Sequence, residues 1–329
     1  MHDVAQVNVG ASQYSVEFLG SWQRYVDKME RLVYEAVNQG AQILLFPEYA
    51  CLELASLFSP QIYGDLQRQL VALQTVLADF RHLHRRLARE HNVYIVSASF
   101  PVRLEDGTYR NRAYFCAPDG SLDYQDKLMM TRWEREQWGI CPGHEVKVFR
   151  TRHGIVGINI CYDSEFPLIA RRQVEMGAQL ILAPSCTDTL AGYHRVRIGC
   201  QARALENQCY VVMASLIGEA KWSQAIDVNT GAAGVFTPVD SGFPANGILT
   251  MGEMNQPQWL VSQVDLAKVD HIRMHGQVTN HADWEKQHDL VATPLAEDWL
   301  VPALVTTLIQ EKAGHHLHHE PVRRALPVN

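Results

Sequence analysis

Apolar residues along this chain follow two rhythms. Between Ser21 and Gln39 they recur three and four apart, at Trp22, Tyr25, Val26, Met29, Leu32, Val33, Ala36 and Val37. That is the spacing of a helix with one buried face, and Gly40 is placed to end it. Leu66, Leu70, Leu73, Leu77, Phe80, Leu83 and Leu87 predict one long helix from Leu66 to His91, and Tyr193 to Gln208 predicts another with Ala202, Ala204 and Leu205 inward. Val4 to Val9 reads as a first strand, and mainly apolar runs of strand length follow at Ala41 to Phe46, Gly154 to Ile160 and Tyr210 to Leu216. Runs of this kind are strands buried on both faces. Val93 to Phe100 and Tyr109 to Ala117 read as paired strands around the turn Glu105-Asp106-Gly107. Gly231 to Phe236, Gly247 to Met251 and Trp259 to Val264 read as further strands, and from Asp265 onward the pattern decays. Strand, helix and strand in succession imply parallel strands with right-handed crossovers, an α/β fold.

One stretch echoes another. Gly40-Ala41-Gln42-Ile43-Leu44-Leu45-Phe46-Pro47 matches Gly177-Ala178-Gln179-Leu180-Ile181-Leu182-Ala183-Pro184 in pattern. Each follows an amphipathic helix and reaches proline, so the fold is expected to consist of two similar halves. Composition adds bounds rather than detail. The 329 residues are 47% hydrophobic and 20% charged, with a net charge of −7 and no basic stripe, which argues against nucleic acid as a partner. No apolar run is long enough to span a bilayer, and Met1-His2-Asp3 lacks the start of a secretory signal. Seven scattered cysteines without a C-x-x-C pair fit reduced thiols, so a cytoplasmic location is expected.

The chemistry gathers where strands end. The run into Cys161 breaks at Tyr162-Asp163-Ser164-Glu165-Phe166-Pro167, and a helix is expected from there to Met176, stopped by Gly177. A thiol before a helix N-terminus is expected to lean towards thiolate. Glu48 follows the strand ending at Pro47, and Lys127 follows the extended stretch Leu122-Asp123-Tyr124. Glutamate as base, cysteine as nucleophile and lysine as oxyanion donor form a workable hydrolase set. The backbone N–H of Tyr162 offers a second oxyanion donor.

These residues resemble the nitrilase superfamily of carbon–nitrogen hydrolases. The matching stretches are Leu44-Leu45-Phe46-Pro47-Glu48, Asp126-Lys127 leading to Pro142-Gly143, and Gly157 through Pro167 around Cys161. Asn111-Arg112-Ala113 and Gln201 through Asn207 support them, and the resemblance runs from about Val4 to Asp265. It implies a four-layer α-β-β-α sandwich and hydrolysis of a non-peptide C–N bond through a cysteine thioester, with no cofactor and no metal. It implies a catalytic domain over 1–285, and a C-terminal extension over 286–329 that packs on a partner subunit of a homodimer or higher even-numbered homo-oligomer. Members carry a second active-site glutamate. Glu136 stands about the right distance before Pro142-Gly143, which leaves Glu134 as a solvated partner for Arg132 or Arg135. Cys161-Tyr162-Asp163 is similar to the amidase branches, so a small-molecule amide is the expected substrate, with a nitrile or an N-carbamoyl compound at the same three residues as the alternative, and membranes are not an expected partner. Amidases of the ω-amide type carry arginine where this chain has Glu165. Glu165 then either faces the pocket, disfavouring anionic substrates, or caps the following helix.

Three other readings remain. Fifteen histidines could supply a Cys–His pair, although none sits in a recognisable motif. A binding or scaffold protein on the same fold would be expected to have lost a member of the Glu-Lys-Cys set. His315, His316, His318 and His319 could bind a transition metal.

Overall fold

The structure is a computed structural model that describes residues 6–291. One compact unit runs Met1–Ala282, and a second begins at Asp283. The described part of the second unit holds a 3-10 turn, Trp284–Gln287, and a helical turn, His288–Val291. The histidine-rich stretch and most of the expected C-terminal extension lie outside the described residues.

Six parallel neighbours form the middle of the sheet, in the order Tyr94–Val96, Ile43–Leu45, Gln6–Ser15, Tyr210–Glu219, Leu180–Ser185 and Ile155–Ile158. Gln6–Ser15 joins the two halves. Its residues 9–11 pair with Ile43–Leu45, while 13–15 pair with Tyr210–Glu219. The Gln258–Asp265 strand runs antiparallel along it. The curled sheet carries helices outside. Ile43 and Leu45 face a core shared with Ile158, Leu180 and Leu182, whereas Leu44 and Phe46 pack with Met29, Val33, Phe80 and Leu87 of the outer helices. Alternate residues of one buried strand thus serve two layers, as period-two side-chain geometry requires. Val174, Val196 and Ala204 bring the helices Pro167–Glu175 and Leu190–Asn207 onto the second half. The two echoing strands occupy corresponding places, each preceded by a left-handed glycine, Gly40 at φ +87° and Gly177 at φ +95°.

Three departures from the expected elements have local causes. The long helix breaks into Leu66–Leu73 and Leu77–Glu90. Between them the Gln74 side chain donates to Leu70 O and Thr75 Oγ1 donates to Ala72 O, capturing backbone groups that a continuous helix would use, and Gln74 also donates to Pro101 O on the strand Phe100–Arg103. The run Val93 to Phe100 divides into Tyr94–Val96 and Phe100–Arg103. The break frees Ser99 to accept from Tyr49 N–H at 3.0 Å, next to Glu48. Past Asp265 a helix forms over Leu266–His275, capped by the Asp265 carboxylate and buried through Leu266, Val269 and Ile272. Its N-cap and three-residue spacing were visible, but the narrow stripe is easily read as decay.

Candidate active site

Parallel strands present their carboxyl ends on one side, where α/β folds bind ligands. Glu48, Cys161 and Cys186 each follow such an end. Lys127 follows Leu122–Asp126, which is antiparallel to Tyr109–Cys116 and therefore points the same way. The lysine is pinned by its backbone. Its N–H donates to Asn111 O at 2.8 Å, and its carbonyl accepts from Gly143 N–H at 2.7 Å. A Cβ on Gly143 would stand 2.6 Å from Asp126 Cβ, which accounts for glycine there. Arg112 holds Asp126 through two bonds, at 2.7 and 2.9 Å, and stacks on Tyr124.

The side chains converge in a buried cluster. Lys127 Nζ lies 2.8 Å from Glu48 Oε1 and 2.7 Å from Glu134 Oε2, and all three groups are nearly inaccessible. Asn111 Nδ2 donates to Glu48 at 2.8 Å and to Glu134 at 3.3 Å. Tyr49 donates to Glu134 Oε1 at 2.7 Å, and the Thr131 N–H and hydroxyl both donate to Oε2 at 2.9 Å. Burial opposes the charge on Lys127, but the Glu134 and Glu48 carboxylates outweigh it and hold its pKa well above the ordinary value. Burial pushes Glu48 up against the pull of Lys127, and Glu134 adds to the rise. For Glu134, Lys127 and the donors overcome burial, and its carboxyl is held low. The cluster therefore moves its two carboxyls in opposite directions, Glu48 up and Glu134 down.

The expected second glutamate is corrected. Glu136 is at the surface, 2.8 Å from Arg132 and 3.9 Å from Arg135, and it touches none of the cluster. Glu134 holds the buried place instead. The cause lies in the helical turn Glu134–Trp138. Trp138 is fully buried, and a residue four positions earlier shares its face while Glu136 turns to solvent. The indole was the signal in the sequence. Glu134→Gln should leave Lys127 with one ionised partner and lower kcat by about 10²-fold, whereas Glu136→Gln should stay within about twofold. Equal losses in parallel steady-state assays would refute this division.

Cys161 opens a short 3-10 turn, Cys161–Glu165, and takes φ +50°, the left-handed region where a non-glycine residue is strained. The strained turn holds the thiol at the strand ends. Its Sγ lies 3.6 Å from Cys186 O. The expected lean towards thiolate is not found. Burial, then the nearby Glu48 charge, push the thiol well above its usual range, and Lys127 only partly offsets them. The α-helix starts at Pro167, beyond the 3-10 turn, so its dipole is distant from the sulfur. The resting thiol needs a base, and Glu48 borders the same cavity as Cys161.

Several residues given no individual role by the sequence tie these pieces together. Cys186 N–H donates to Glu48 Oε2 at 3.1 Å, and its thiol donates to Asn229 Oδ1 at 3.3 Å. Asp163 accepts from Ile160, Leu128 and Met129 N–H groups at 3.1, 3.0 and 2.7 Å, binding the Cys161 turn to the segment after Lys127. Burial outweighs Lys127 and these donors and moves its carboxyl up to about 7. Tyr162 lies in the first turn after Cys161, where helical N–H groups lack intrahelical acceptors. Glu165 makes no cap, since Phe166 is the N-cap of Pro167–Glu175. Its carboxylate instead borders a cavity and lies 3.8 Å from Arg195. Among the described residues no histidine borders the cavities at Cys161, which leaves a Cys–His pair without support.

A glutamate, a lysine and a cysteine thus gather at the strand ends of a curled α/β sheet, and sequence comparison gives the chain its family. The chain belongs to the carbon–nitrogen hydrolase family, whose sequence pattern matches residues 8–262. The matched region is a carbon–nitrogen hydrolase domain. Among relatives, it is 34% identical to "Probable hydrolase YhcX" of Bacillus subtilis (strain 168) over 277 residues, 84% of this chain and 53% of that one. The chain thus spans about half the length of that relative. It is 28% identical to "Omega-amidase NIT2" of Mus musculus over 254 residues, 74% of this chain and 83% of that one. A carbon–nitrogen hydrolase from Helicobacter pylori G27 shares the fold with a TM-score of 0.69 at 17% identity, covering 87% of this chain and 95% of the other. Among the described residues no helix is long and apolar enough to cross a membrane.

Proposed function

We propose that the chain hydrolyses a small-molecule amide through a thioester on Cys161. The observation that carries this reading is the buried cluster in which Lys127 Nζ meets Glu48 at 2.8 Å and Glu134 at 2.7 Å, in the wall of the cavity that Cys161 also borders. Glu48 takes the Sγ proton as the sulfur attacks the acyl carbon. Its burial makes it a stronger base than an exposed glutamate. The carbonyl oxygen becomes an oxyanion between Lys127 Nζ and Tyr162 N–H. The tetrahedral centre collapses, the C–N bond breaks, and Glu48 returns the proton to the departing nitrogen. Glu48 then activates water against the thioester, which frees the acid and restores the thiol. Glu134 and Asn111 keep Lys127 charged and in place throughout.

An amide is favoured over a nitrile by the Tyr162-Asp163 pair after Cys161 and by the omega-amidase among the relatives. The same reading carries a homodimer, supported by Leu168, Leu190 and Ile198, which stand exposed on the two helices of the second half. The test is a set of amides, nitriles and carbamoyl compounds of one chain length, followed by ammonia or amine release and by intact mass after acid quench. The expected result is turnover of amides with an acyl mass on the protein. Turnover without any acyl mass would refute the thioester.

Glu165 bears on the acyl half. It borders the cavity and partly neutralises Arg195, so Glu165→Gln removes a negative charge and frees a positive one. The ratio of kcat/KM for an amide whose acyl half ends in a carboxylate to that for its neutral analogue should rise about tenfold. An unchanged ratio would exclude Glu165 from selectivity.

A further inference from the structure

We propose that Asp163 is a positioning residue for the reaction, its ionised carboxylate a latch that sets the Cys161 turn in register with Lys127. The inference rests on the Cys161 mechanism just given, and names what aligns the nucleophile with the oxyanion donor. Each half of that pair is fastened separately. Lys127 is tied through its own peptide to Asn111 O and Gly143 N–H, at 2.8 and 2.7 Å. The Cys161 turn is fastened to the helix Leu190–Asn207, where Arg203 Nη1 donates to Ser164 O at 2.9 Å. A Cβ on Gly199 would stand 2.7 Å from the same oxygen, so helix and turn touch closely there.

Asp163 spans the two halves. Its Oδ1 accepts from Leu128 and Met129 N–H at 3.0 and 2.7 Å, directly after Lys127. Its Oδ2 accepts from Ile160 N–H at 3.1 Å, directly before Cys161, and more weakly from Leu128 N–H at 3.3 Å. The side chain is fully buried and all three partners are donors, so both oxygens must accept. A protonated carboxyl or an asparagine amide turns one end into a donor. That end then meets an N–H with another N–H or O–H, and a buried donor is left without an acceptor. The turn has a reason to move when released. Cys161 sits at φ +50°, and such strain persists only where the surroundings over-determine it.

No cation neutralises the latch. Lys127 acts on it from the segment after Leu122–Asp126 but bonds Glu48 and Glu134 instead. On the two helices packed against the turn, Arg203 pairs with Glu206, and Arg171 and Arg172 pair with Glu175. On the turn itself, Glu165 faces Arg195 and the Cys161 thiol is held protonated. Burial therefore prevails, and the carboxyl titrates at about 7. Below that pH the latch is protonated and open, and above it ionised and closed. The folded carboxyl binds its proton more tightly than an ordinary aspartate, so its ionisation weakens the fold as pH rises towards about 7. Activity and stability move in opposite directions through that window, which an acid with a merely structural role would not produce.

The first test needs no substitution. In the wild-type protein the amide resonances of Leu128, Met129 and Ile160 should shift together with a midpoint at about 7. Over the same midpoint kcat should rise at least about tenfold with pH, because small misplacements of reacting groups are expensive, while KM stays within about threefold. The second test is Asp163→Asn, which should lower kcat about 10²-fold above that midpoint and abolish the step. Relative to this variant, the wild-type melting temperature should fall as pH rises through the window. Iodoacetamide should still alkylate Cys161 in the variant within about threefold of the wild-type rate, since alkylation forms no oxyanion and makes no call on Lys127. Wild-type kcat in Asp163→Asn overturns the proposal, as do amides that titrate without any change in kcat. Alkylation lost together with turnover overturns it too, because Asp163 would then shape the Cys161 turn alone. If the variant does not fold, the wild-type titration decides. An absence of acyl mass on wild-type Cys161 overturns the mechanism, and this inference with it.

Discussion

Cys161→Ala should abolish turnover and leave the fold intact. The sulfur is the only proposed nucleophile, and no backbone change is needed to remove it. Alanine at φ +50° is strained much as cysteine is, so the turn gains no reason to relax. The loss is one buried sulfur and a weak contact to Cys186 O, a cost of about 1–2 kcal/mol. Cys161→Ser sharpens the experiment. The hydroxyl is nearly isosteric, but Glu48 is far too weak a base to ionise it, so turnover should again vanish. The acyl mass seen by intact mass spectrometry on the wild-type protein should be absent from both variants. Cys186 lies beside Cys161 with its own thiol turned towards Asn229, and it serves as the internal control. An acyl mass that persists in Cys161→Ala would transfer the nucleophile's role to another group and end the assignment.

What the sequence made legible was local. Glu48, Lys127 and Cys161 each follow a run of strand residues, and an α/β sheet collects strand ends on one side. Their meeting therefore followed from topology alone. The two halves were legible for a similar reason, because the Gly40 and Gly177 echoes encode the same helix stop and the same buried strand. Legibility failed where a contact depends on distant chain. Cys186 holds Glu48 across 138 positions, and nothing near Cys186 indicates that its backbone N–H is used this way. Asn111 bridges two acids that lie 63 positions before it and 23 after it. The mistaken preference for Glu136 had a different origin. Glu136 has the expected spacing to Pro142-Gly143, but the helical face decides which acid turns inward, and the burial of Trp138 fixes that face. The expected thiolate is opposed by desolvation, which a helix dipole beginning only at Pro167 does not offset. Here the buried sulfur shares its pocket with an anionic cluster, and burial prevails.

Lys127→Met should cost both activity and stability, and the two losses should be separable. The activity loss follows from the missing charged donor, worth roughly 10²–10³ in kcat. The stability loss follows from the cluster itself. Without the cation, two carboxylates remain nearly inaccessible to water, with methionine unable to donate to either. Breaking a buried pair from one side typically costs about 3–5 kcal/mol, so the melting temperature should fall by on the order of 10 °C. Part of that loss is repulsion between Glu48 and Glu134, whose charges already act on one another in the wild type. Adding Glu134→Gln to Lys127→Met removes one of the two charges, and the glutamine keeps acceptor capacity for Tyr49 and Thr131. The double variant should therefore regain several degrees of the lost melting temperature. It should regain no activity, because the oxyanion still has no cation. Thermal denaturation and steady-state rates on the four proteins of this cycle decide the matter. Recovered turnover in the double variant would mean that Lys127 serves only to neutralise Glu134. An unaltered melting temperature in Lys127→Met would mean that the carboxylates shed their charge at little cost, and that the cation is held for chemistry alone.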